Sequence, residues 1–177
     1  MIEVVFYAAV SRDGFLAAPN GDMAWAEKYL TGDEDYGYFS LVQSCTSILM
    51  GRRTFDFELE AIGDMERILP TYVLTNEPLR FDGLKTRDIT FIAGDMGMII
   101  DLIESKHPGQ IFVAGGADVV SQLILADRLT QIRLFECPED LGAGTSLFAE
   151  GVSLAGFDLL ETKEYSSGLV ERRYRLK

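Results

Sequence analysis

The chain has 177 residues, 47% of them hydrophobic and 25% charged, with 16 basic and 28 acidic side chains and a formal net charge of −12. A chain of that length is most simply one domain, residues 1–177, around one well-buried core. So acidic a surface, with no Lys/Arg run longer than two, repels nucleic acid and anionic membrane, and neither is expected as a partner.

The elements read as follows in chain order. The apolar, β-branched and aromatic run "IEVVFYAAV" (2–10) predicts a buried strand. It is too short for a membrane span and carries Glu3, so it is no signal peptide either, and a cytoplasmic chain is expected. "SRDGFLAAPNGD" (11–22) is dense in turn formers and predicts a long loop. "DEDYGYFSLVQS" (33–44) predicts a helix with acids at its front, weakened by Gly37. "SILMG" (47–51) predicts a short buried strand feeding a helix from Thr54 to about Ala61. "TYVLTN" (71–76) and "ITFIAG" (89–94) predict strands, and "MGMIIDLIES" (96–105) an amphipathic helix. "QIFVAGG" (110–116) predicts a strand and "ADVVSQLILA" (117–126) a helix, with Val119, Val120, Leu123 and Ile124 on one face. "QIRLFECP" (131–138) predicts a strand, and the tail two strands around Ser166-Ser167-Gly168 as a hairpin with one wet face. Arg172-Arg173 falls in that hairpin and reads as a solvated charge pair on an edge strand. The whole predicts a three-layer α/β sandwich, its central sheet mostly parallel with an antiparallel C-terminal hairpin.

Cys45 and Cys137 lack CxxC spacing and are expected to be buried, reduced thiols. His107, in "SKHPGQ", is the only histidine, too few for a zinc cluster, and no metal site is expected.

In sheets of this kind ligands lie beyond the carboxyl ends of the strands. Three predicted strand ends carry unusual chemistry. Gly51-Arg52-Arg53-Thr54 offers close backbone approach, two guanidinium forks suited to phosphate and a hydroxyl near a helix start. The plainer reading is a solvated helix start. Gly115-Gly116-Ala117-Asp118 offers helix-start amides beside two glycines, and its plainer reading is a tight turn. No GxGxxG fingerprint is present. Thr75-Asn76 is the third, and its plainer reading is a turn start. Their placement on adjacent strand ends favours one extended, multiply phosphorylated ligand.

"MGRRTF" and "FVAGGADVVSQLI" resemble segments of dihydrofolate reductases, while "SRDGFLA" and "PEDLGAGTSLF" resemble the reductase domain of riboflavin biosynthesis. The similarity covers nearly the whole chain, residues 2–177, and four such segments in order identify a stand-alone member of the dihydrofolate-reductase-like superfamily. The resemblance implies NADPH as cofactor. Arg52 and Arg53 then stand near the adenosine 2′-phosphate, Thr54 near the pyrophosphate, and Thr75 and Asn76 beside the adenine ribose. Gly51 closes the strand before them. Gly115 and Gly116, joined by a cis peptide in the family, pass under the pyrophosphate ahead of Ala117 and Asp118. Leu16, Ala17 and Ala9 line the nicotinamide.

Asp35 and Phe39 are spaced like the family's catalytic acid and the aromatic residue one turn later, with a solvated helix start as the competing reading. Trp25 and Tyr36 are candidates to cover a flat heterocycle, or core residues. Phe135 stands where dihydrofolate reductases hold the pterin with threonine, so folate itself is not implied. The deaminase domain often fused to riboflavin reductases is not among these residues. The expectation is an NADPH-dependent reductase of a small pterin- or pyrimidine-like heterocycle, acting as a homodimer. The alternative is a non-catalytic NADPH-binding or regulatory protein of the same fold.

Overall fold

The computed structural model describes residues 2–29, 34–62, 67–78 and 88–177. Its frame is an eight-stranded sheet made of β1 (Val4–Ser11), β3 (Cys45–Gly51), β4 (Thr71–Leu74), β5 (Ile89–Ile92), β6 (Gln110–Gly115), β7 (Gln131–Cys137), β9 (Phe157–Glu164) and β10 (Val170–Leu176). A small antiparallel pair, β2 (Phe15–Ala17) and β8 (Thr145–Ser146), lies outside it. The helices are α1 (Ala24–Glu27), α2 (Tyr38–Ser44), α3 (Arg52–Ile62), α4 (Met96–Lys106) and α5 (Ala117–Leu125).

The spatial order is β5-β4-β3-β6-β1-β7-β10-β9. Strands β5 through β7 in that order pair in parallel, while β10 is antiparallel to both β7 and β9. Parallel strands covered on both faces have no wet side, which is why "VVF" and "ILM" are unbroken apolar runs. Neighbouring side chains point to opposite faces. Val4, Phe6 and Leu49 pack with Ile99, Ile100 and Ile103 of α4 and Val119, Val120 and Leu123 of α5. Val5 packs instead with Leu41 of α2, and Met50 and Val73 with Phe55 of α3. The result is the expected three-layer sandwich with its antiparallel C-terminal hairpin.

The structure corrects several local expectations. The helix expected over 33–44 begins only at Tyr38, because Gly37 is left-handed at φ 76 and breaks any continuation from the acids. Asp35 therefore lies ahead of the helix, its Oδ1 accepting from the Gly37 amide (2.9 Å) and its Oδ2 from the Phe39 amide (3.1 Å). Asp33 is outside the described residues. Helix α3 starts directly at Arg52 rather than at Thr54, so both arginines sit in its first turn. The loop expected over 11–22 contains β2, and α1 follows it.

Arg172-Arg173 is not a merely solvated pair. Arg172 pairs with Glu136, and Arg173 with Glu161 (2.9 Å) and with the fully buried Glu171 (2.7 Å). Both cysteines are reduced and buried, and burial pushes the Cys137 thiol up to about 12. Among the described residues no helix is long and apolar enough to cross a membrane.

Candidate active site

Two of the three marked strand ends meet directly. Register places Met50 opposite Gly115, so β3 and β6 end level and release α3 and α5 side by side. The Gly115-Gly116 peptide is cis. A Cβ built on Gly51 would lie 3.2 Å from Val119 Cγ2 and 3.6 Å from the Gly116 nitrogen, so Gly51 is packed against the diglycine. A Cβ on Gly116 would lie 3.4 Å from the Thr54 hydroxyl, and one on Gly115 3.9 Å from it. The space between Thr54 and the diglycine is thus a cradle that side chains would fill.

Arg53 reaches across this cradle, its Nη2 2.7 Å from Asp118 Oδ2, joining the first turns of two helices 65 residues apart. Arg52 turns along its own helix to pair with Asp56. Ala117 opens α5, and the Val120 amide donates to the Gly116 carbonyl at 3.1 Å. The third strand end is next in line. Gly51 is opposite Leu74, so Thr75 follows at the level of Arg52. Thr75 is buried, its amide donating to Ile92 (2.9 Å) and its hydroxyl accepting from the Glu77 amide (3.2 Å), whereas Asn76 is exposed.

Two helix N-termini, two guanidiniums, a hydroxyl and a side-chain-free peptide suit a phosphate-bearing ligand by their donor chemistry. The residues fit a dinucleotide, with one qualification: each arginine already faces a carboxylate.

The "SRDG" and "LGAG" segments interlock at the end of β1. Asp13 accepts from the Ser11 hydroxyl (2.6 Å) and from the amides of Gly142 (2.7 Å) and Leu141 (3.1 Å). The Ser11 hydroxyl foremost, with those amides, holds the Asp13 carboxyl below its ordinary 3.8. Arg12 pairs with Asp140, and Lys28 and Tyr29 with Glu139. Gly144, at φ 155, passes so close that a Cβ there would lie 2.1 Å from the Ala17 carbonyl oxygen. This clamp fixes β2, carrying Leu16 and Ala17. Leu16 packs toward the α4/α5 core cluster, and Ala9 toward the opposite face of the sheet.

On that opposite face lie the candidates for holding a flat substrate, and they are not equivalent. Phe135 and Tyr36 are buried in one cluster with half-buried Trp25 against it, and so are core residues. Phe39 is 66% exposed at the start of α2. Asp35 sits just ahead of the same helix start, its carboxylate accepting from the Phe39 amide, and not one turn before Phe39 within the helix.

Sequence reasoning missed what surrounds them. Tyr7 packs 4.6 Å from Phe135 and 5.7 Å from Tyr38, and Tyr38 lies 6.0 Å from both Phe39 and Phe112. Arg133 lies over the rings of Tyr7 (5.2 Å) and Phe135 (5.7 Å) and donates to the Tyr36 carbonyl (3.0 Å). Its Nε donates to Glu171 (2.7 Å), which also accepts from Tyr165 (2.7 Å) and Arg173. Burial alone would raise the Glu171 pKa, but these donors outweigh it and bring the carboxyl below its ordinary 4.5. Burial drives Tyr7 upward, so its phenol stays protonated. The available signal was parity: Arg133 shares the strand face of Phe135, and Glu171 that of Leu169.

No protein-family model matches the chain. It is 26% identical over 172 residues to the uncharacterized protein YwjB of Bacillus subtilis (strain 168), covering 94% of each chain. A provisionally named riboflavin biosynthesis protein from Shewanella sp. PV-4 superposes with a TM-score of 0.86 at 22% identity over 99% of both chains. A diaminohydroxyphosphoribosylaminopyrimidine deaminase/5-amino-6-(5-phosphoribosylamino)uracil reductase from Thermotoga maritima superposes at 0.77 and 15% identity, over 99% of this chain and 57% of that one. Dihydrofolate reductase from Enterococcus faecalis, complexed with NADP(H), superposes at 0.68 and 16% identity over 99% and 96%. At these identities the likeness is one of fold: the chain has the dihydrofolate-reductase-like fold, in a form resembling the reductase domain of riboflavin biosynthesis.

Proposed function

We propose that the protein is an NADPH-dependent reductase of a small pyrimidine- or pterin-like heterocycle. The observation that carries the reading is the convergence of Arg53, Thr54, Gly115, Gly116 and Asp118 on one cradle between two helix N-termini. The similar Enterococcus faecalis enzyme is an NADP(H) complex, and the Thermotoga maritima one a uracil reductase, which supports the class of cofactor and substrate.

When bound, the reduced nicotinamide supplies the hydride for a C=N or C=O bond of the substrate. The chain's residues do the rest. Thr54 and the amides at the α5 start hold the pyrophosphate, and Arg52 and Arg53 take the 2′-phosphate. Thr75 and Asn76 border the adenine ribose. The Asp13 clamp holds Leu16 and Ala17 beside the end of β1, where they line the nicotinamide next to the strand backbone at Ala9. Tyr38 and Phe39 offer ring surfaces on the other face of the sheet. Asp35, at the same helix start, is the candidate to deliver the accompanying proton.

Titration of the protein with each reduced dinucleotide tests the cofactor reading. Arg53→Ala is expected to weaken NADPH by roughly 10- to 100-fold, the loss of one charged hydrogen bond, while NADH changes less than about threefold. Equal losses would sink it.

A second reading, a dinucleotide-binding protein without turnover, draws on Asp35. Both of its oxygens are occupied in capping the Gly37 and Phe39 amides. Turnover of a reducible pyrimidine or pterin that Asp35→Asn abolishes favours the enzyme, and tight NADPH binding by the wild-type chain without turnover favours the second reading. The variant removes the ionisable group and keeps one of the two capping acceptors. A general acid lost costs roughly 100- to 10,000-fold in kcat on a reducible pyrimidine or pterin; an unchanged kcat retires Asp35 as the acid. The expected homodimer is checked by light scattering.

A further inference from the structure

We propose that Asp118 is an internal competitor for the anion that Arg53 takes, and that it sets how strongly the site prefers the dinucleotide bearing the extra phosphate. The inference rests on the cofactor reading above and goes beyond it.

Asp118 stands in the first turn of α5, where the aligned N–H groups favour negative charge. Its carboxylate lies 2.7 Å from Arg53 Nη2, within ordinary ion-pair contact. It thus holds the place that a phosphate oxygen would take on that guanidinium. Both partners are well exposed, 82% and 69%, so water and salt screen the pair and it parts at little cost. A phosphate bound to Arg53 must displace the carboxylate and then remain beside it, like charge against like. Both dinucleotides bring a pyrophosphate near this carboxylate, but only NADPH adds a further phosphate at Arg53, so the penalty is larger for NADPH than for NADH. Arg52 is engaged differently, by Asp56 one turn along the same helix, so that pair does not bridge the two segments. The chain thus carries both the cation that recognises the phosphate and an anion that moderates the recognition.

The experiment compares dissociation constants of NADPH and NADH by isothermal titration for the wild-type chain, Asp118→Asn and Asp118→Glu. Asp101→Asn, removing the exposed acid that pairs with half-buried Arg128 elsewhere, is the control for net charge. Asp118→Asn is expected to tighten NADPH by roughly three- to tenfold and NADH by a clearly smaller factor. Asp101→Asn is expected to stay near the wild-type values, and Asp118→Glu, which keeps the carboxylate, to show no such gain for NADPH. An unchanged or weakened NADPH constant in Asp118→Asn, an equal gain for both dinucleotides, or the same gain in Asp101→Asn overturns the proposal alone. If neither dinucleotide binds the wild-type chain or Asp118→Asn, the cofactor reading falls and takes the proposal with it.

Discussion

The strand-end cradle and the Arg133–Glu171 network both depend on guanidinium–carboxylate pairs, yet they place those pairs in opposite surroundings. At the cradle, Arg53 and Asp118 stand in solvent. Below the other face of the sheet Glu171 is 0% exposed and the Arg133 side chain 15%. An exposed pair contributes about 0–1 kcal/mol, so its partners are free to exchange one another for a ligand. A buried pair has no water to fall back on, and removing one partner strands the other at about 3–5 kcal/mol. The first arrangement is adaptable and the second fixed. The proposed ligand exchange therefore belongs to the weaker pair, and rigidity to the stronger.

The largest expected effect tests that division. Glu171→Ala leaves Arg133, Arg173 and the Tyr165 hydroxyl without their shared acceptor and is expected to cost about 3–5 kcal/mol in urea unfolding. Asp118→Ala, by contrast, is expected to stay within about 1 kcal/mol of wild type. Similar losses from both would erase the contrast. The pH dependence follows from the same carboxylate. Its folded pKa lies below the ordinary 4.5, so its contribution is complete above that value and is lost as pH falls through the folded pKa. Acid titration of stability should therefore steepen below pH 4.5, and Glu171→Gln should flatten that limb.

Gly144→Ala comes next. Its φ of 155 and the 2.1 Å approach to the Ala17 carbonyl require the Ser11–Ala17 and Glu139–Ser146 segments to move apart. A loss of more than about 1 kcal/mol is expected in thermal or urea unfolding, with weaker dinucleotide binding if Leu16 and Ala17 line the site. A stable variant with unaltered binding would separate the clamp from the cradle. The smallest effect concerns Cys137: with its thiol near 12, alkylation by iodoacetamide at pH 8 should proceed far more slowly than in the unfolded chain.

Much of the fold was legible because long apolar runs report burial on both faces. "VVF", "ILM" and "IFV" could only be inner strands of a covered sheet, and "VVSQLI" repeats its apolar residues at helical spacing. The cradle was legible for a related reason: glycine at a strand end permits close backbone approach, and paired arginine in so acidic a chain marks a local demand for positive charge. The start of α2 was not. Asp33, Glu34 and Asp35 fit a helix's first turn as pattern, but the left-handed Gly37 and the capping bonds of Asp35 decide where it begins. Short elements such as β2, β8 and α1 carry too few residues to form a period; the Asp13 bonds tie the loops beside β2 and β8 together, and Glu139 holds Lys28 and Tyr29 just after α1.

By itself the sequence determined the order of strands and helices, the layer count and the chemical types gathered at the strand ends, since hydrophobic period and residue chemistry are local properties. Tertiary structure alone decided which charge faces which. It set Asp118 against Arg53 across 65 residues and buried Glu171 beneath Arg133 and Arg173. Ion pairing depends on distances of a few ångströms between segments far apart along the chain, and only the folded sheet fixes those distances.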